Sequence, residues 1–244
     1  MSNLGVIFKR ELGSYFATPL AYIFIVIFLV LSALFTFDLG GFYTAGQADL
    51  NAFFSFHSWL YLFLVPALAM RLWAEERKSG TIELLMTLPV SRTDMVLGKF
   101  IAAWVFVGIA LLLTFPIVIT VNYLGNPDNG AIFTGYIGSW LLAGGYLAIG
   151  SCMSAATKNQ VIAFILSVVV CFIFIAAGIP MVLDFFSTWA PQWLVDAIAS
   201  FSFQVRFSAL SHGVLELRDL LYFLSLMAGW LFATAIVIDL KKAD

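Results

Sequence analysis

The side chains able to do chemistry in this sequence are few and poorly placed for it. The two imidazoles, His57 and His212, fall near the outer ends of apolar runs. A bis-histidine haem would need two imidazoles on facing helices at one depth, so both read as interfacial residues. Ser151 lies in an apolar run without a histidine or carboxylate at its depth, a nucleophile without a base. Gly98-Lys99 is the single Gly-Lys pair. A phosphate-binding loop needs G-x-x-x-x-G-K-[ST], whose amides cradle the phosphates; here Phe100 follows the lysine and the earlier glycine is missing. No nucleotide site, cofactor or metal is expected in the chain. Without an acid–base constellation no enzyme activity is expected either. Cys152 and Cys171 sit in apolar runs and read as reduced packing residues.

The elements that carry these residues are membrane helices. Of 244 residues, 62% are hydrophobic and 11% charged, with 25 phenylalanines, where soluble domains are about a quarter charged. Twelve basic against fourteen acidic residues make no polyanion-binding face, which excludes nucleic acid as a main partner. Six stretches approach the roughly 20 apolar residues of a spanning helix: 20–37, 58–70, 100–124, 131–157, 161–183 and 220–238. The second is short unless it extends into 53–56 and 72–73. None contains Asp, Glu, Lys or Arg. Ten Lys or Arg fall in the segments around the termini, 71–99 and Lys158, against two, Arg206 and Arg218, on the other side. The positive-inside rule then puts both termini in the cytoplasm. The first apolar run is too long for a signal-peptide core and no cleavage site follows it. The expected fold is an all-α polytopic membrane protein, one domain over 1–244, with six spans and both ends inside.

Several local patterns refine this. Gly144, Ala148, Cys152 and Ala156 recur every four residues as a small-residue ridge, which suits close helix contact within or between subunits. Pro66, Pro116 and Pro180 lie within spans and favour kinks. Leu4, Ile7, Phe8, Leu12, Tyr15 and Phe16 share one face of an N-terminal helix, with Lys9 and Arg10 opposite. Glu11 lands on the apolar face and needs a partner, expected from the arginines of 71–78. Between spans five and six, 184–219 is too long for a turn. Pro191 suits a first helical turn, and Trp193, Leu194, Ala197, Ile198 and Phe201 make an apolar stripe opposite Asp196 and Ser200: a short outer helix, gating or anchoring. The outer loops carry seven acids against the two arginines.

The cytoplasmic segment 74–99 is an elbow of two short helices. Thr81 can cap a turn that Pro89 stops, and Ser91-x-x-Asp94 is a capping box that starts a helix running into span three. Ile82, Leu85, Met86 and Leu88 form an apolar patch, which suits a headgroup-bound amphipathic elbow.

The string Glu75-Glu76-Arg77…Ser79-Gly80-Thr81-x-Glu83-x-Leu85…Leu88-Pro89-Val90-Ser91, followed by Gly98-Lys99, resembles the cytoplasmic signature of ABC-2 type transporter permeases. Lys9-Arg10-Glu11…Ser14-Tyr15-Phe16…Pro19-Leu20-Ala21-Tyr22 and Gly213-Val214…Arg218-Asp219…Tyr222-Phe223-Leu224-Ser225 further resemble the gliding-motility-associated, GldF-type permease subunits. The resemblance implies a permease half in the bacterial inner membrane. It implies an interfacial helix within 1–19, using Phe8, Lys9, Arg10, Glu11 and Tyr15. It also implies an elbow whose Glu75, Glu76, Arg77, Gly80, Thr81, Glu83, Leu85 and Pro89 dock on a dimer of ATP-binding subunits that hold ATP and Mg²⁺. The second permease half would be a copy or a relative with a periplasmic domain, and membrane lipid surrounds both. The function implied is ATP-driven transport. The alternative is a non-transporting subunit that passes ATPase motion to a periplasmic, motility or assembly partner.

Overall fold

Capping and backbone chemistry set the element boundaries of the computed structural model, which describes residues 3–82 and 90–241. α1 (Asn3–Phe16) breaks at Ala17-Thr18, and Pro19 opens α2 (Pro19–Leu34) where its missing N–H costs nothing. α2 widens into a π-turn, Phe35–Leu39, where the Thr36 hydroxyl donates back to the Ser32 carbonyl at 2.6 Å. Two short helices, α3 (Phe42–Ala45) and α4 (Asn51–Ser55), lead into α5 (His57–Ala69). Met70 keeps right-handed helical backbone, so α5 passes into α6 (Arg71–Ser79) almost without interruption. Gly80 ends α6 at φ +72°, a left-handed cap that favours glycine. The capping box forms: Ser91 Oγ accepts from the Asp94 amide at 3.1 Å and starts α7 (Arg92–Leu112). The chain continues through α8 (Phe115–Leu124), α9 (Asn129–Ala156), α10 (Gln160–Ala176), α11 (Pro180–Ser187), α12 (Gln192–Ser200), α13 (Phe203–Ser211) and α14 (Leu217–Leu240), with no strand among the described residues.

Among the described residues four helical stretches are long and apolar enough to cross a membrane: Pro19–Ala45, Arg92–Leu124, Asn129–Ala156 and Leu217–Leu240. α10 and α11 make a fifth if their 67° bend lies within one span. Pro180 sits at that bend and Pro116 at the α7–α8 break, and each begins a new helix, whereas α5 continues through Pro66.

α9 is the centre of the bundle. Its most apolar window is 72% buried, against 28–39% for the other three long stretches, because it touches α5, α6, α7, α10, α13 and α14. A helix ringed by neighbours needs small side chains, and its sequence supplies them. A Cβ on Gly144 would lie 2.5 Å from Met227 Sδ, and one on Gly150 would lie 2.4 Å from Ala69 Cβ. Ala148 is fully buried and Cys152 nearly so; Ala156 is half-buried at the helix end. The Gly144–Met227 approach places the ridge against α14 of the same chain. Both cysteines are free and buried.

Two local expectations change. His57 is not interfacial: α4 folds Phe53 and Phe54 back over the start of α5, and the imidazole is fully buried with Phe53 at 4.4 Å and Tyr61 at 5.3 Å between ring centres. His212 is exposed. The stretch 184–219 holds the end of α11 and two further short helices, α12 and α13. Pro191 is the N-cap residue of α12, not part of its first turn, and Trp193 and Phe201 point outward while Val195 turns in.

Overpacking tests the central position of α9. Ala148→Phe should destabilise the protein by about 1–3 kcal/mol, read as a lower unfolding midpoint in detergent. Phe232→Ala, on an exposed face of α14, should leave the midpoint unchanged. Equal midpoints for the two variants would contradict the packing.

Candidate functional site

One end of the bundle gathers α1, α6, the start of α7 and the ends of α9 and α14 around a single buried ammonium. Gly98 allows this, since a Cβ there would lie 2.7 Å from Ile7 Cγ2 and push α1 off α7. With α1 seated, Ile7, Leu12, Tyr15 and Phe16 pack on the core, and the Tyr15 ring stacks on Phe106 at 5.0 Å. Phe8 is half-buried on the same side, and Lys9 and Arg10 are exposed. That face carries Glu11 to Lys99 at 3.3 Å, while α6 delivers Glu76 to the same ammonium at 2.7 Å. The Trp73 ring covers Lys99 at 5.3 Å. Only 6% of the Lys99 side chain is exposed.

The partner of Glu11 is therefore Lys99, with Arg10 at 2.6 Å, and not an arginine of 71–78. Those arginines are engaged elsewhere. Arg71 pairs with Glu75 along α6 at 2.8 Å, and Arg77, buried, donates to the Ala155 carbonyl at 2.7 Å.

Four further hydrogen bonds pin the start of α6 to α9. Ser154 Oγ accepts from the amides of Trp73 and Ala74, each at 3.0 Å, and donates to the Met70 carbonyl at 2.8 Å. Trp73 Nε1 donates to Ser151 Oγ at 3.0 Å, so Ser151 is a packing acceptor. The other helix ends are tied similarly: Lys241 donates to the Ala156 carbonyl at 2.8 Å, and Arg92 pairs with Asp239 at 2.5 Å.

Lys99 is shared between two carboxylates, of which Glu11 also has Arg10, and Glu76 Oε2 is buried without a partner. Burial accordingly pushes the Glu76 carboxyl above its usual range despite Lys99. Glu75, largely in solvent, is held below that range by its hydrogen bond to Arg71.

Of the predicted elbow residues, Glu75 stays on the surface of α6, Glu76 and Arg77 turn inward, and Gly80 and Thr81 close the helix, with Thr81 Oγ1 2.9 Å from Ser79 Oγ. Glu83, Leu85 and Pro89 lie outside the described residues. Sequence reading missed Lys99, Trp73, Ser151 and Ser154. The available signal was a lysine abutting an apolar span, together with serines three apart on one helix face. Among the described residues no three His, Cys, Asp or Glu side chains could hold a metal. The arrangement joins three helices, α1, α6 and α7, through shared charge.

Removing one member of a buried ionic cluster strands the others. Lys99→Met should cost about 3–5 kcal/mol of stability, and adding Glu11→Gln and Glu76→Gln should recover most of it. The raised Glu76 carboxyl holds a proton more readily folded than unfolded. Its contribution is present below about pH 4.5 and is lost as the pH rises through its own higher value. Unfolding midpoints across that interval should fall less steeply in Glu76→Gln than in the parent.

A comparison with curated proteins finds no match. The family described as ABC-2 family transporter protein matches residues 7–239, almost the whole chain, including all the elements that meet at Lys99. Its members are membrane subunits without a nucleotide site of their own. The protein belongs to the ABC-2 transporter family.

Proposed function

We propose that the chain is the transmembrane permease subunit of an ATP-binding cassette transporter, moving its substrate with ATP hydrolysed on a separate subunit. Family membership supports the permease role. The observation that carries the mechanism is the Lys99 junction: α6, from which the elbow departs, is bonded to Lys99 of α7, through it to the N-terminal helix, and to the central α9. A push on the elbow reaches the span bundle through α6 rather than through a loose loop.

In this reading both termini face the cytoplasm and the chain crosses six times. α5 alone, thirteen residues long, reaches about 20 Å, so α4 and the first turn of α6 complete the second crossing; α10 and α11 make the fifth. The membrane is the bacterial inner membrane, and the N-terminal and 213–225 motifs favour the GldF-type branch of permeases. A second permease half, a copy or a relative with a periplasmic domain, completes the channel. Glu75, Gly80, Thr81, Glu83, Leu85 and Pro89 form the docking elbow. Glu76 and Arg77 hold α6 in place behind it, where their partners are intramolecular.

Reconstitution tests the reading. The isolated chain should hydrolyse no ATP, and the complex with its ATP-binding subunit should. Truncating one partner of a desolvated interfacial charge pair costs about 2–5 kcal/mol, so Glu83→Ala should insert normally yet lose the subunit or its stimulated turnover. Asp244→Ala, an equal charge change in the tail, should behave as the parent. ATP turnover by the chain alone would overturn the assignment; equal behaviour of the two variants would remove Glu83 from the coupling contact.

A further inference from the structure

The break between α7 and α8 opens a recess beside α9, at the end of the bundle away from Lys99. α7 packs along α9, but the chain turns at Thr114, and Pro116 starts α8 on a new line that stands off α9. The two helices are rejoined at the far end by Asn122 and Asn129, whose side-chain amides each donate to the other at 3.1 Å. The near end is shut by the Trp104 and Trp140 indoles, stacked at 4.1 Å. Gly108 leaves room for the second indole, since a Cβ there would lie 2.9 Å from Trp140 Nε1. Between the indoles and the amide pair lies a space of about 520 Å³.

Its dimensions select what can fill it. Asn129 and Trp140, at the two ends, are eleven positions apart on α9, or about 16 Å at 1.5 Å per residue. One leaflet of a bilayer holds about 15 Å of hydrocarbon. The volume spread over that length gives a slot about 6 Å across. An α-helix is about 10 Å wide and meets such a slot with one side chain per turn, leaving gaps between. Water finds no partners there, because the polar atoms of the wall are taken: the Tyr136 hydroxyl lies 2.8 Å from that of Thr114, and Trp140 Nε1 donates to the Trp104 carbonyl at 3.1 Å. Left empty, the slot would forfeit dispersion contacts along its whole lining. Its rim, Leu112, Phe115 and Phe133, is more than half exposed, which lets hydrocarbon enter from the side. One extended hydrocarbon chain fits all of these limits.

The polar end sets what that chain is attached to. Asn122 spends both amide hydrogens, on the Val118 carbonyl and on Asn129. Asn129 keeps one hydrogen free, and each amide oxygen keeps a lone pair. No charged side chain lines the recess among the described residues. Asp128, next to Asn129, already holds the Gly130 and Ala131 amides at the start of α9 and would repel a phosphate.

We infer that the recess between the α7–α8 break and α9 is a binding slot for one acyl chain of a membrane lipid whose headgroup is uncharged and bears a hydroxyl, held at the Asn122–Asn129 pair. The inference rests on the chain crossing a membrane and not on ATP-driven transport, so it stands or falls separately from the permease reading.

Photo-crosslinking of the full chain in phosphatidylcholine vesicles tests this, with a diacylglycerol carrying a diazirine in one acyl chain as probe. Adducts should map to 105–118 and 129–140 at several times their yield on equally exposed apolar positions elsewhere, Val26 and Val30 of α2 and Val161 and Ile165 of α10. Ile109→Trp, which fills the slot from α7, should remove that excess. Val118→Trp fills it from α8 and should do the same, so the test survives misfolding of either variant. Leu113→Trp, exposed and outside the recess, should keep the excess. Asn122→Leu with Asn129→Leu should lower labelling by about fivefold, the worth of one hydrogen bond. Phosphatidic acid with the same chains should label the parent no better than diacylglycerol labels that pair. Equal yields in the recess and on the other faces of the parent, or an excess that persists with the slot filled, would overturn the proposal. Equal labelling by the two lipids would overturn the uncharged headgroup. Links from 105–140 to another copy of the chain, in place of lipid adducts, would give the recess to that copy.

Discussion

Burial of the Lys99 ammonium is the constraint around which one end of the molecule is arranged. An ammonium sealed at the base of an apolar helix costs several kcal/mol unless its charge is met by partners of good geometry. Meeting it takes two carboxylates and an indole face, drawn from two helices distant in sequence. α1 must then lie against α7, which requires Gly98, and α6 must lie against α9, which requires Ser151 and Ser154 as acceptors and donors. The second oxygen of Glu76 stays buried without a hydrogen bond, and burial raises its carboxyl above the usual range. A junction of this kind is stiff in position and sensitive to a change in any one member.

The middle of the bundle is held by other means. Between lipid-facing helices the hydrophobic effect offers no net drive, so close packing and interhelical hydrogen bonds must hold them. α9 uses both. Its glycines and alanines bring Met227, Trp104 and Ala69 to contact, and Tyr61 to Ser139, Tyr146 to the Ser58 carbonyl, and the reciprocal Trp104 and Trp140 indole-to-carbonyl bonds cross to neighbouring helices. A recess of about 520 Å³ that it lines between α7, α8 and α9 is apolar but for Asn129 and Tyr136.

Much of this was legible in the sequence, for reasons tied to particular residues. The amphipathic face of α1, the Ser91 cap and the Gly-Ala ridge are local patterns whose meaning depends only on helical periodicity; in the structure residues of that face pack on the core, Ser91 accepts from the Asp94 amide, and Gly144 lies against Met227. What sequence could not supply was pairing across distance. Glu11 visibly needed a cation, but the nearest cluster of arginines was a poorer guess than a lysine at the mouth of a span. His57 looked interfacial because its neighbours in sequence end a span, whereas the fold returns Phe53 and Phe54 over it. Three acids near the elbow looked like docking charges, yet Glu76 is bound within the chain and Glu75 has Arg71 beside it. Charge density alone does not say which way a charge points.

The charged contacts also mark the two ends of α14. At one end Asp219 is almost wholly buried and pairs with Arg206 of α13 at 3.2 Å, the guanidinium lying over the Tyr222 ring. At the other end Asp239 pairs with Arg92. The two aspartates are twenty positions apart on one helix, or about 30 Å at 1.5 Å per residue, which matches the thickness of a hydrocarbon core. Lys99 lies seven residues into α7 from Arg92, about 10 Å along the helix axis, with 6% of its side chain exposed. An ammonium so buried cannot rely on water. α1 must therefore pack against α7 to bring Glu11 to it.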